Sequence, residues 1–274
     1  MGPTASGKTS KSINLAKTNN GEIISADSRL VYKGFDIAAA KPTLEERQGI
    51  KHHLIDVVEP EVDYSVANFL DDARVAIDEI SQRGKTPIVV GGTGLYFRIL
   101  LEDFDLPRIP PDYELRAELE KIESCDLHKM LIDLDPVGAE KIHFNNKVKL
   151  IRALEVCKLM NAPHSQVAGK KELEYDVEWI GLNPEDRVVL YKRIDDRVDV
   201  MVKSGLVEET KSLLEKHGRI INFVNTIGYQ EILEYMDGKI SFEDAILNIK
   251  QNSRRYAKRQ LTWFRRNKEI NWQS

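Results

Sequence analysis

The chain has 274 residues, 42% of them hydrophobic and 31% charged, with a formal net charge of -4. That is the composition of a soluble globular protein with room for a core domain and an inserted one, and it excludes an overall basic field for binding nucleic acid. Its two isolated cysteines, Cys125 and Cys157, exclude a disulfide scaffold or a four-thiolate metal site and read as small core residues.

The first element is a phosphate-binding loop. Gly2-Pro3-Thr4-Ala5-Ser6-Gly7-Lys8-Thr9 fits G-x-x-x-x-G-K-[ST] in full. Such a match arises by chance in roughly 1 in 100 chains of this length. Its backbone N–H groups and the following helix start would cradle phosphate oxygens, Lys8 would add a point charge, and the Thr9 hydroxyl would hold Mg²⁺. A phosphate loop ordinarily hangs from a central strand, and only Met1 precedes this one. The expectation is that the supporting strand belongs to residues omitted ahead of Met1.

A helix is predicted over Lys8–Lys17, then a short strand Glu22–Ser25 with Asp27 and Ser28 just past its end. Tyr64–Ser81 reads as an amphipathic helix and Thr86–Val90 as a buried strand. Gly91-Gly92-Thr93-Gly94 follows, then a helical stretch over Leu95–Leu101. This rhythm predicts an α/β fold of the P-loop kinase-like kind, a parallel sheet with helices on both faces. Ligands in such folds gather at the C-terminal strand ends, where the opening loop, Asp27 and Thr93 would meet.

Three prolines between Leu106 and Pro111 mark a hinge. Helices near Asp112–Glu123, Asp126–Leu134, Pro136–Ile142 and Lys147–Met160 follow without a strand, so residues 109–174 read as a helical insertion between core segments 1–108 and 175–274. Asp176–Leu182 is predicted to re-enter the sheet as a strand. Helices over Arg187–Ser204 and Phe242–Gln260 close the chain. Nothing resembles a signal peptide or membrane span, which makes the cytoplasm the expected location.

Asp27 could hold Mg²⁺, accept a proton from a nucleophile, or cap a turn. The glycines around Thr93 would let a ligand approach the backbone, or simply make a tight turn. Arg193 and Arg197, four apart on one helix face, suit a diphosphate, or a surface ladder with Asp195, Asp196 and Asp199. The run Lys250, Arg254, Arg255, Lys258, Arg259, Arg265, Arg266 and Lys268 has no acid among it. With Tyr256, Gln260, Trp263 and Phe264 interleaved, it reads as an RNA or polyphosphate contact, against the alternative of a solvated helix face.

Taken in order, these motifs closely resemble the tRNA dimethylallyltransferase (isopentenyltransferase) family over essentially the whole chain. The resemblance rests on the opening loop, Asp27-Ser28-Arg29 with Val31-Tyr32, Gly91-Gly92-Thr93-Gly94-Leu95-Tyr96 and Arg152-Ala153-Leu154-Glu155-Val156. It continues in Gly205-Leu206, Ile227-Gly228-Tyr229 and Tyr256-Ala257-Lys258-Arg259-Gln260-Leu261-Thr262-Trp263-Phe264. It implies transfer of a dimethylallyl group from dimethylallyl diphosphate to N6 of adenosine 37 in tRNA, releasing diphosphate, with Mg²⁺ as cofactor. Asp27, Thr93 and Lys8 would be catalytic. Gly2, Pro3, Thr4, Ala5, Ser6, Gly7, Lys8, Thr9, Arg193 and Arg197 would hold the diphosphate, with Thr9 on the Mg²⁺. Contacts to the tRNA anticodon arm would come from Asp27, Ser28, Arg29, Leu30, Thr93, Arg116, Val148, Lys149, Leu150, Ile151 and Arg152. Further contacts would come from Gly228, Tyr229, Arg255, Lys258, Arg259, Gln260, Trp263, Arg265 and Arg266.

The implied protein is a bacterial-type monomer, without membrane contact and without the zinc-finger extension of eukaryotic relatives. Two positions depart from the family pattern: Ala38-Ala39-Ala40-Lys41 stands where Gly-Thr-Ala-Lys is usual, and Ser253 replaces a Thr. Three other readings compete: an adenylate isopentenyltransferase, an ATP-dependent small-molecule kinase and an RNA-binding protein with an idle site. The helical insertion and the basic C-terminal stretch favour RNA as acceptor over a free nucleotide.

Overall fold

The computed structural model describes residues 1–102, 107, 109–167, 174–184 and 186–273. The chain separates into two compact units, Met1–Leu100 with Val177–Ser274, and Leu101–Asp176.

In the first unit, α1 (Lys8–Thr18) leads into β1 (Gly21–Ala26), which is buried along its whole length. A strand buried on every residue must be central, and β1 is: the sheet order is β2–β1–β3, with both pairings parallel. The connection to β2 (His52–His53) carries one turn, α2 (Leu44–Arg47), which the Thr43 and Glu46 side chains cap reciprocally. The connection to β3 (Thr86–Gly91) is α3 (Val66–Gln82), begun by Ser65 accepting from the Asn68 N–H. Leu70, Ala73, Ile77 and Ile80 of the apolar face that the spacing predicts are buried, joined by Phe69 and Ala76, whereas Ala67 is half-buried. Ile13 and Ala16 of α1 pack with Ile23, Ile50, Ile88 and Val90, so the helix behind the opening loop is fixed to the sheet by apolar burial. α4 (Gly94–Leu101) starts directly after β3 and buries Tyr96, Phe97, Ile99 and Leu100.

The second unit contains only helices among its described residues: α5 (Tyr113–Glu120), α6 (Ser124–Leu134), α7 (Pro136–Lys141), α8 (Lys147–Met160) and α9 (His164–Val167). Asp112, Asp135 and Asn146 cap three of them, and Pro136 takes a first-turn position where a missing N–H costs nothing. The core joins Leu119, Leu127, Leu131, Leu150 and Leu154 with Cys157. Cys157 is the small core residue expected; Cys125 is not, because its place in the first turn of α6 leaves it exposed. Glu155 of α8 is fully buried and satisfied by three donors: the Asp112 N–H, both arms of the Arg116 guanidinium at 2.8 and 2.9 Å, and Arg152.

The return segment differs from expectation. β4 (Ile180–Leu182) is shorter than predicted and does not join the three-stranded sheet. It pairs in parallel with β5 (Asn271–Gln273), and on its other side the Met1 amino group donates to Ile180 O and Met1 O accepts from the Leu182 N–H. With both edges engaged, β4 has no ladder groups left to offer β3. The remaining helices are α10 (Arg187–Lys203), α11 (Leu206–His217), α12 (Ile221–Val224), α13 (Tyr229–Met236) and α14 (Phe242–Phe264). No helix among the described residues is long and apolar enough to cross a membrane.

α14 packs on α10 through Leu190, Ile194 and Ala257, and two ion pairs brace the contact, Asp195 with Arg254 and Asp199 with Lys250. These pairs revise two expectations. The α10 aspartates neutralise α14 and Lys192 rather than forming a ladder with Arg193 and Arg197. The basic run on α14 therefore does have acids against it, at two of its positions.

Candidate active site

The opening loop is turned by two residues in the left-handed region, Ala5 at φ 60° and Gly7 at φ 88°. Gly7 is the N-cap of α1 and offers no side-chain acceptor, so the first N–H groups of the helix stay free for a ligand. Lys8 Nζ donates to Pro3 O across the loop. Gly2 and Pro3 are buried beneath, and a Cβ at Gly2 would stand 2.6 Å from Leu182 O, so this glycine permits backbone contact with β4. Thr4 through Thr9 form the visible wall of a cavity of about 540 Å³.

Arg197 donates to Thr4 Oγ1 at 2.9 Å and lines the same cavity. Burial lowers its pKa, while Asp27 pulls the other way. Lys8 is also held down, to about 7, chiefly by desolvation and then by repulsion from Arg197, with Asp27 again opposing. Two desolvated cations beside each other destabilise the site until an anion enters. Arg193 does not share this position: it is exposed and outside the cavity wall. The wall face of α10 carries Ile194, Arg197, Val198 and Met201, and Arg193 sits about 90° of helix rotation from the centre of that stripe.

Asp27 follows β1 and lines the cavity, its Oδ1 accepting from the Arg29 N–H at 2.9 Å. Ser28, Arg29 and Leu30 line it too. Thr93 Oγ1 accepts from the Ser28 N–H at 3.1 Å, so it ties the Asp27 segment to the end of β3. The glycines around Thr93 make room for the chain itself, and Gly91 also lines the cavity. A Cβ at Gly91 would lie 2.0 Å from Ala26 O, at Gly92 2.1 Å from the Gln260 amide, and at Gly94 2.1 Å from the Trp263 ring.

Gln260 is buried, its Oε1 accepts from the Thr4 N–H at 2.8 Å, and its Nε2 donates to Gly92 O at 3.0 Å. Held at both ends, the amide braces the phosphate loop while lining the cavity. Trp263 is half-buried against Gly94, with Arg266 over its ring. Arg255, Lys258, Arg259, Arg265 and Arg266 are exposed, and Arg259 also lines the cavity. Tyr256 lies between Arg259 and Thr93; burial, then the charge of Asp27, pushes its hydroxyl up to about 12.

Other expected RNA contacts are also buried. Tyr229 is fully enclosed and its hydroxyl donates to Glu209, while Gly228, at φ 101°, packs against Ala38. Thr226 and Ile227 just before them line the cavity instead. In the helical unit Leu150 and Ile151 belong to the core, because α8 turns that face inward. Val148 and Lys149 face solvent, and Arg116 and Arg152 are half-exposed with their guanidinium groups on Glu155.

Ala38, Ala39 and Ala40 form a cavity wall, held by Glu209 of α11, whose carboxylate accepts from the Ile37 and Ala38 N–H groups and from Tyr229. Nothing local marks Glu209, since its partners lie 172 and 20 residues away.

The loop, the parallel sheet and the helix that follows define a P-loop protein of the α/β class. A family model described as IPP transferase matches residues 30–267. The tRNA dimethylallyltransferase of Anoxybacillus flavithermus is 47% identical over 274 residues, covering 99% of this chain and 88% of the relative. That of Carboxydothermus hydrogenoformans is 47% identical over 279 residues, with 99% and 89% covered. Among solved structures, the full-length tRNA isopentenylpyrophosphate transferase of Bacillus halodurans aligns with a TM-score of 0.74 at 46% identity, covering 99% of this chain and 87% of that one. A eukaryotic dimethylallyltransferase acting on tRNA aligns with a TM-score of 0.83 at 33% identity, covering 96% and 68%. The chain belongs to the IPP transferase family.

Proposed function

We propose that this chain transfers the dimethylallyl group of dimethylallyl diphosphate to N6 of adenosine 37 in the anticodon arm of tRNA. The observation that carries this reading is the convergence of Lys8 and Arg197, two desolvated cations, with the Asp27 carboxylate in one cavity. A leaving diphosphate needs the first two and an attacking amine needs the third.

The loop N–H groups, Lys8 and Arg197 bind the diphosphate and orient C1 of the allyl group toward Asp27. N6 of the adenine attacks C1, the C1–O bond breaks with its electron pair going to diphosphate, and the N6 proton passes to Asp27. Charge accumulating on the departing oxygens meets donors already in position. An exocyclic adenine amine is a weak nucleophile, so alignment of N6 with C1 supplies much of the rate. The base must leave its stack to reach the cavity. Thr93 acts through Ser28, fixing the backbone that carries Asp27.

Mg²⁺ fits the donor set. The Thr9 hydroxyl in the cavity wall would hold it, and among the described residues no cluster of three His, Cys, Asp or Glu could cage a metal. When bound, the ion would neutralise diphosphate charge. Outside the cavity, the exposed Arg255, Lys258, Arg265 and Arg266, with Val148 and Lys149 of the helical unit, are the surfaces offered to the tRNA backbone.

The test is transfer of labelled dimethylallyl diphosphate to unmodified tRNA, with AMP and ATP in parallel. Label is expected in tRNA alone. Asp27→Asn is expected to slow transfer by ~10²–10⁴ with tRNA affinity retained. Equal loss of rate and affinity would remove the proton-acceptor role, and label in AMP alone would overturn the RNA acceptor.

A further inference from the structure

Side chains two apart on a strand share a face, and on β1 that face carries Ile23, Ser25 and Asp27, all lining the cavity. Ile23 ends the row in apolar packing under α1, and Asp27 ends it in a carboxylate. Between them Ser25 is 4% exposed, and its hydroxyl has no hydrogen-bond partner in the protein. Native structures seldom leave a buried hydroxyl unpaired, because its lost hydration is not recovered. The second unpaired hydroxyl, Ser6 Oγ, belongs to the phosphate loop, which lines the same cavity, and lies close to Gly2.

Ser25 lines the same cavity as Thr9, Ser12 and Asp27. Ser12 Oγ donates to Thr9 O at 2.8 Å and keeps its acceptor capacity. This wall is rich in hydroxyl oxygens and, among the described residues, has no carboxylate cage. Mg²⁺ held in that way retains several of its waters, and those waters need acceptors. A buried serine hydroxyl with free lone pairs supplies one.

We infer that the Ser25 hydroxyl is a positioning contact for the hydrated Mg²⁺ of the donor diphosphate, accepting a hydrogen bond from one of the ion's waters. The inference rests on the proposed function in taking a diphosphate as the ligand. It makes Ser25 part of ligand binding rather than of folding, and the two roles give opposite results.

Calorimetric titration of inorganic diphosphate into wild type and Ser25→Ala, with and without Mg²⁺, tests it, together with thermal melts of the ligand-free proteins. Mg-diphosphate affinity is expected to fall roughly tenfold in Ser25→Ala, with metal-free diphosphate affinity unchanged. The ligand-free variant is expected to melt at or above the wild-type temperature, since it no longer buries an unpaired hydroxyl. Equal loss with and without Mg²⁺, no loss at all, or a lower melting temperature would each overturn the inference. Wild-type protein that fails to bind diphosphate under either condition would overturn the donor assignment itself, a distinct result.

Discussion

Lys8 is a lysine whose charge depends on its ligand. Its ammonium is held to about 7 by desolvation and by Arg197, against 10.5 for the free side chain. Above pH 7 the ligand-free site is therefore increasingly neutral at this position. A bound diphosphate places negative charge beside it and raises the pKa, so binding takes up a proton. Diphosphate affinity is expected to fall as pH rises from 7 to 9, and the binding heat at pH 8 to differ between buffers of different ionisation enthalpy in the direction of proton uptake. A heat independent of buffer would show that binding takes up no net proton and would overturn this linkage. Arg197, with its much higher intrinsic pKa, remains charged throughout, so the site never loses all of its attraction.

At the scale of elements, helices with a strong apolar stripe and the two strands β1 and β3 of the central sheet were legible, and the β4–β5 pair was not. The predicted Tyr64–Ser81 and Arg187–Ser204 became Val66–Gln82 and Arg187–Lys203, because repeating apolar positions and caps such as Ser65 define such segments locally. β5 carries no periodic signal, and of the predicted Asp176–Leu182 only Ile180–Leu182 is strand; each of the two has its ladder partners about ninety residues away in the other. The same division runs through the site. The loop and Asp27 are local motifs and Arg197 was marked by its spacing from Arg193, whereas Ser25, Gln260 and Glu209 gain their roles only from what the fold brings against them. The glycines after β3 were legible as a motif but not in their reason, which is the close passage of α14. Gly94→Ala would drive a methyl into the Trp263 ring, with an expected cost of about 1–3 kcal/mol in denaturant unfolding. Gly138→Ala is no useful control, since its Cβ would meet Asp135, but Gly49→Ala is: nothing lies within 4 Å, and only the strain of its φ of 77° is felt. Equal destabilisation of Gly94→Ala and Gly49→Ala would show that the Trp263 contact is not tight.

For the molecule as a whole, the net charge of -4 conceals a sorting of its cations. Lys250 and Arg254 are neutralised by α10, whereas Arg255 and Arg259 face outward. Arg255→Ala and Arg259→Ala are each expected to reduce the slope of log tRNA affinity against log salt by about 1, and Lys250→Ala to leave it unchanged. A slope reduced equally by all three would mean that the α10 aspartates do not screen their partners. Arg116 and Arg152 need a different approach, because each also compensates the buried Glu155. Replacing either leaves a carboxylate short of donors inside the helical unit, so a loss of RNA binding there would include a loss of structure.

The two-ended amide of Gln260 restricts what evolution or engineering can place at that position. Thr4 N–H presents a hydrogen and Gly92 O presents a lone pair, in a fixed spatial order. Glutamate can meet only the first while ionised, lysine only the second, and methionine of similar length neither. Asparagine has the right polarity on a stem one carbon too short. Position 260 thus selects both for hydrogen-bond direction and for the length of the stem that carries the amide, and glutamine meets both.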